Sequence, residues 1–128
     1  MPVTKVSGTG FRKTVLESDL PVVVDFYADW CQPCKRLAPI VDTLSERWAG
    51  QVRFVRVDIE RNQKLAKQYG VASIPLLVLF AGGEARARVV GLRPAGMIER
   101  GLGLKRAVSG EPDERGGLGE RIRGWLGR

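Results

Sequence analysis

Cys31 and Cys34 are the only cysteines in the 128-residue chain, and they stand where one hydrophobic pattern gives way to another. Ahead of them, Val22-Val23-Val24-Asp25-Phe26-Tyr27-Ala28 is apolar on both parities apart from Asp25. A strand covered on both faces has that pattern, so a central strand is expected here. Behind them, Leu37, Ile40, Val41, Leu44 and Trp48 recur at helical spacing. Pro33 suits the first turn of that helix, where a missing N–H costs nothing. The cysteine pair therefore marks a strand-to-helix junction. A helix start presents unpaired N–H groups and the positive end of the helix dipole. Both favour a thiolate, the reactive form of cysteine. Cys31, nearest the helix start, is the expected nucleophile, and Cys34, one turn on, is close enough to form a disulfide with it.

The other segments alternate in the same way. Residues 1–6 read as a lead-in strand, followed by a helix carrying Phe11, Val15 and Leu16 on one face. Ser18-Asp19-Leu20-Pro21 returns the chain to an extended form. Gln51–Ile59 reads as a second core strand, Asn62–Tyr69 as a short helix and Ile74–Phe80 as a third core strand. Ala81-Gly82-Gly83-Glu84 is a hairpin turn, so Ala85–Val90 pairs back as a fourth strand. Pro94 opens a last helix with Met97, Ile98 and Leu102 inward. Pro39 predicts a kink in the cysteine helix. The order is βαβαββα after the opening strand. The crossovers imply parallel pairing, with the glycine hairpin adding an antiparallel edge. The fold class is α/β, a central mixed sheet flanked by helices.

Composition narrows the function. No apolar run approaches the roughly 20 residues that span a bilayer. The N-terminal stretch lacks the apolar segment of a secretory leader, which places the chain, if complete, in the cytoplasm. In that compartment a catalytic disulfide is more plausible than a structural one. The net charge of +7 is spread over scattered Lys and Arg without interleaved aromatics, so nucleic-acid binding is not indicated. Zinc needs four ligands, and a chain with one cysteine pair and no histidine does not supply them.

Asp25 is the anomaly in the pattern. A carboxylate inside an apolar strand is costly when charged, so its pKa should rise toward the range where it exchanges protons near neutrality. The alternative is an Asp at a strand end that reaches solvent.

The segments Asp25-Phe26-Tyr27-Ala28-Asp29-Trp30-Cys31-Gln32-Pro33-Cys34-Lys35, Ala38-Pro39, Val57-Asp58, Tyr69-Gly70-Val71, Ile74-Pro75, Gly82-Gly83-Glu84 and Val90-Gly91 together resemble the thioredoxin family, over roughly residues 5–105. The resemblance implies the thioredoxin fold and dithiol–disulfide exchange. It implies that Cys31, Cys34 and Asp25 are the catalytic residues, Asp25 serving Cys34 as acid or base. It implies a cis Ile74–Pro75 bond facing the disulfide. It gives Trp30, Ile74, Pro75 and Gly91 to substrate binding. Trp30 is otherwise a core aromatic and Gly91 otherwise a turn glycine.

Gln32, Arg56 and Leu76 depart from the family pattern; Leu76 stands after Pro75 where threonine is usual and is expected to affect packing more than chemistry. Gln32 replaces the usual glycine between the cysteines and, with the retained Pro33, is expected to modulate the reduction potential. Arg56 stands where a lysine is common, and either holds Asp25 ionised or directs its charge outward to solvent. The partners implied are disulfide-containing proteins and a thioredoxin reductase that passes on electrons from NADPH, or another donor. No bound cofactor or metal is expected, and the chain should be a monomer. The readings that compete with a disulfide reductase are an oxidase or isomerase of the same fold, and a redox-independent binding module.

The thioredoxin domain should span residues 1–106. Residues 107–128 read as a linker and a possible amphipathic helix carrying Leu118, Ile122, Trp125 and Leu126. Membrane contact by this tail is not expected.

Overall fold

A computed structural model describes residues 3–109. Strand β2, Val22–Tyr27, is buried at every position and lies at the middle of a five-stranded sheet. Strand β3, Arg53–Asp58, runs parallel to it on one side, and the short β1, Thr4–Lys5, pairs parallel with β3 beyond. Strand β4, Leu76–Ala81, runs antiparallel to β2 on the other side, and β5, Glu84–Val90, closes that edge. The order is β1-β3-β2-β4-β5.

The expected parallel crossover holds between β2 and β3 but not between β3 and β4. The helix in that second connection, α3, is only Gln63–Gln68. Six helical residues rise about 9 Å, against roughly 20 Å for a six-residue strand. The chain therefore does not return to the far end of the sheet. Strand β4 begins at Leu76, paired with Phe26, at the same end where Asp58 of β3 pairs with Tyr27. Starting from that end, β4 runs antiparallel to β2. The hairpin from Ala81 to Glu84 turns through Gly82 and Gly83, both at positive φ where glycine is favoured.

Alternation along β2 divides the core. Val22, Val24 and Phe26 pack on one face with Phe11, Val15, Leu65 and Tyr69. Here the first helix, α1 (Gly8–Phe11), runs on into a wider π turn over Arg12–Leu16. Val23 faces the other side, against Leu37, Val41 and Leu44 of helix α2, Gln32–Arg47. The recurrence of Leu37, Val41 and Leu44 is one helical stripe, and it seats α2 across the sheet. Pro39 sits inside α2 on its exposed side.

Helix α4, Ala95–Leu102, packs beside α2. Its Ile98 and Leu102 are buried as expected, but Met97 is 48% exposed. Successive helical residues lie about 100° apart, and a helix that seats Ile98 and Leu102 turns Met97 away. Glu99 joins the two helices, accepting hydrogen bonds from Trp48 Nε1 at 2.8 Å and Arg47 Nη1 at 3.1 Å. After Gly103, which adopts the left-handed conformation, helix α5 runs over Leu104–Ser109, three residues past the domain boundary expected at 106. The remaining tail, including its proposed amphipathic helix, lies outside the described residues.

Ile98→Ala should cost about 2–5 kcal/mol, the range for emptying a buried aliphatic site. Met97→Ala on the same helix should change stability by no more than about 0.5 kcal/mol. Urea denaturation of both variants checks the assignment of the two side chains.

Candidate functional site

The apolar end of β2 delivers Tyr27 and Ala28 directly to the cysteines. These four residues form a small buried cluster, with Ile59 and Ile74 packed against it. Cys31 occupies the N-cap position of α2, and its extended backbone turns the strand exit into the helix. The Cys34 N–H donates to Cys31 Sγ at 3.2 Å, so one orphan donor of the helix start is spent on sulfur. Cys31 and Cys34 are joined as a disulfide with Cα atoms 5.2 Å apart, and both residues are about 95% buried. In the reduced state the same N–H and the helix dipole would bear on a Cys31 thiolate. A bond that can open and close between two sulfurs at a polarised helix start is the chemistry of thiol–disulfide exchange.

The surroundings are asymmetric. Trp30 is 64% exposed, so it is not a core aromatic, and it stands beside the cysteines at the surface. Gln32 and Pro33 are also exposed, in the first turn of α2. The Ile74–Pro75 peptide bond is cis, and Ile74 reaches the cysteine cluster. The Gly91 N–H donates to the Pro75 carbonyl at 2.8 Å, which fastens the end of β5 to the start of β4. Gly91 has φ +89° and nothing within 4 Å of where a Cβ would lie. Its backbone conformation alone calls for glycine. The expected constellation is thus brought to one end of the sheet: Cys31, Cys34, Trp30, Gln32, Pro33, Ile74, Pro75 and Gly91.

Asp25 and Arg56 lie just behind it. The parallel register of β2 and β3 sets Asp25 opposite Arg56, and the odd parity of Asp25 turns it toward the α2 side of the sheet. Asp25 is 1% exposed, so it does not reach solvent from a strand end. Its pKa is raised from 3.8 to about 6, because burial outweighs the opposing charge of Arg56, while Asp42 adds to the rise. Arg56 Nε contacts Asp25 Oδ2 at 3.4 Å. The arginine is thus coupled to Asp25 and yet does not hold it in the ordinary carboxylate range. Asp25, Cys34, Lys5, Asp29, Lys35 and Arg56 border a cleft of about 200 Å³.

Two participants were not singled out from the sequence. Asp42 stands 3.8 Å from Arg56 Nη2, and the Tyr27 ring lies 6.0 Å beneath the Arg56 guanidinium carbon. The stripe from Cys34 through Ala38 to Asp42, at i, i+4 and i+8, was the available signal for the first. Among the described residues no cluster of His, Cys, Asp or Glu could hold a metal ion, and no helix is long and apolar enough to cross a membrane.

The raised pKa of Asp25 makes stability depend on pH with a definite sign. Between 3.8 and about 6 the folded protein keeps a proton that the unfolded chain has released. Stability therefore falls as pH rises through that window and levels off above it. The shift corresponds to ~3 kcal/mol, at roughly 1.4 kcal/mol per pH unit. Relative to wild type, Asp25→Asn should gain ~3 kcal/mol on moving from below 3.8 to well above 6. Denaturant unfolding of the disulfide form at both pH values measures this. An equal difference at both would mean that Asp25 is not neutralised by burial.

Comparison with known proteins bears on the same constellation. A family model described as Thioredoxin matches residues 2–103. The chain is 46% identical over 88 residues to a thioredoxin of Rickettsia felis, covering 69% of this chain and 84% of that one. It is 41% identical over 98 residues to thioredoxin 1 of a Nostoc species, covering 77% and 92%. It is 46% identical over 90 residues to a thioredoxin of a Synechocystis species, covering 70% and 84%.

Proposed function

The chain belongs to the thioredoxin family of thiol–disulfide oxidoreductases, and from that premise we propose that it works as a general reductant of protein disulfides, with Cys31 as the attacking sulfur and Cys34 as the resolving one. The observation that carries this reading is the placement of Cys31 at the N-cap of α2, with a backbone N–H directed at its sulfur. The Cys31 thiolate attacks one sulfur of a partner disulfide. A mixed disulfide forms, and the partner's other sulfur leaves as a thiolate. Cys34 then gives up its proton and attacks Cys31 Sγ. The mixed bond breaks, the second partner sulfur leaves, and the Cys31–Cys34 disulfide closes. Two electrons have passed from the dithiol to the partner.

The proton from Cys34 needs an acceptor away from bulk water. Asp25 lines the same cleft as Cys34, and a carboxyl titrating at about 6 exchanges protons near neutrality. This supports Asp25 as the proton carrier for Cys34, through water in the cleft. Trp30, Ile74, Pro75 and Gly91 supply the partner-binding surface. The open space above Gly91 and the half-buried Ile74 beside the sulfurs support an extended partner segment laid along this edge. Membership of the family supports the return of electrons from NADPH through a thioredoxin reductase, or from another donor, in the cytoplasm.

Gln32 and Pro33 touch the solvent side of the motif and tune the potential. Equilibration in defined thiol buffers should place the couple near roughly −270 mV, the reference value for thioredoxin. A potential between roughly −180 and −120 mV would instead assign an isomerase or oxidase. In the same preparation, Cys34→Ser should accumulate a covalent adduct with a disulfide-bearing protein, and Cys31→Ser should form none. The reverse pattern would exchange the roles of the two cysteines.

A further inference from the structure

The Arg56 guanidinium is shared between two carboxylates and satisfies neither in the paired geometry that arginine prefers. Arg56 Nε meets Asp25 Oδ2 at 3.4 Å, and Nη2 meets Asp42 Oδ1 at 3.8 Å. Asp25 Oδ1 and Arg56 Nη2 are both buried and have no hydrogen-bond partner among the described residues. A guanidinium free to choose would close on one carboxylate with two parallel N–H···O bonds. Such a pair is open to Arg56 and Asp25, which face each other across the β2–β3 register.

Asp42 is on the outer side, on α2, with its side chain 58% exposed. It occupies the same face of α2 as Cys34 and Ala38, two helical turns along. We infer that Asp42 is a positioning residue that draws one end of Arg56 away from Asp25 and so keeps the buried carboxyl from being locked in a closed ion pair. Asp42 acts in two ways. Its own negative charge bears on Asp25 directly, and it competes for the cation that would otherwise stabilise the Asp25 anion. An arginine can take part in this arrangement because its fork spans two acceptors, where a lysine is a single point of charge.

The other charged or titratable groups around Asp25 are Lys5 from β1, Asp29 from the turn after β2, and Cys34 and Lys35 from α2, all bordering the cleft. Tyr27 lies under the guanidinium on β2, and β4 faces Asp25 with the apolar Leu77. None of these holds the Nη2 end of Arg56 in an ion pair, whereas Asp42 does.

The inference rests on Asp25 as the proton carrier for Cys34, and its test separates the two claims. The titration midpoint of the Asp25 carboxyl is followed by NMR in the disulfide form of the full chain. Wild type, Asp42→Asn, Arg56→Met and the double variant are compared. Asp42 is exposed, so its Asn variant retains the fold. Asp42→Asn should lower the Asp25 midpoint by roughly 1 pH unit, the size of an opposite charge drawn into close contact. In the Arg56→Met background the same change should give a clearly smaller shift that added salt removes, because only the direct, solvent-screened charge remains. Equal shifts in the two backgrounds, or no fall in the wild-type background, would overturn the inference. The pH profile for resolution of the Cys31 mixed disulfide, recorded on the same variants, should move with the Asp25 midpoint. If the midpoint moves and the rate profile stays, the positioning by Asp42 stands and Asp25 loses its place as the proton carrier.

Discussion

Burial of β2 on both faces is the constraint on which the remaining structure depends. Each face needs its own cover, and the chain supplies one with α1, its π turn and α3, the other with α2 and α4. Each edge needs a neighbour, since a strand edge in a dry interior leaves N–H and C=O groups unpaired. Strands β3 and β4 fill those edges, one parallel and one antiparallel. The site then follows from where β2 ends. Its last residues are apolar and still covered, so the first turn of α2 begins against packed side chains, and the cysteines inherit that burial. The disulfide thus rests on packed side chains, with the exposed Trp30, Gln32 and Pro33 beside it.

Asp25 is the one charged side chain that this strand carries, and its placement is a consequence of alternation. Positions 23, 25 and 27 face α2, so a carboxyl at 25 must enter the space behind Cys34. Moving it by one residue would place it among Val24, Phe26 and the aromatic cluster of Phe11, Tyr69 and Phe80, far from any sulfur. Buried carboxylates usually carry a stability cost that a protein avoids. Retaining one at the position that reaches the cysteine cleft fits the proposed proton transfer at Cys34.

The elements near the cysteines were legible in the sequence because their signals are local. The two-parity run from Val22, the proline at the first turn and the stripe of Leu37, Val41 and Leu44 each need only a few neighbouring residues to interpret. The family pattern then added the cis Ile74–Pro75 bond, which no local signal distinguishes from a trans one. What could not be read were relations between distant segments. The reversal of β4 depends on how far α3 carries the chain compared with the length of a strand. Met97 was assigned inward because an apolar residue fits a hydrophobic list, whereas the orientation of α4 is set by Ile98 and Leu102. Asp42 was missed because, alone on a helix surface, an aspartate is an ordinary solvated charge. It acquires meaning only when the β2–β3 register and the seating of α2 bring Arg56 to it.

The raised pKa of Asp25 shows which effect wins in that cluster. A cation 3.4 Å away should depress a carboxyl, and Arg56 does pull in that direction. Two features weaken the pull. The contact is long and single, so it lacks the reinforcement of a bidentate pair. The cation also answers to Asp42 and lies over the Tyr27 ring, which divides its attraction among three partners. Desolvation of Asp25 is not divided in this way, because the side chain is almost fully buried. The balance therefore raises the titration of the carboxyl to about 6, so that it ionises just below neutrality. Since that balance sets desolvation against the pull of Arg56, movement of the guanidinium shifts it. On the proposed role of Asp25, control of proton exchange at Cys34 passes through Arg56, which joins the buried carboxyl to Asp42 at the surface.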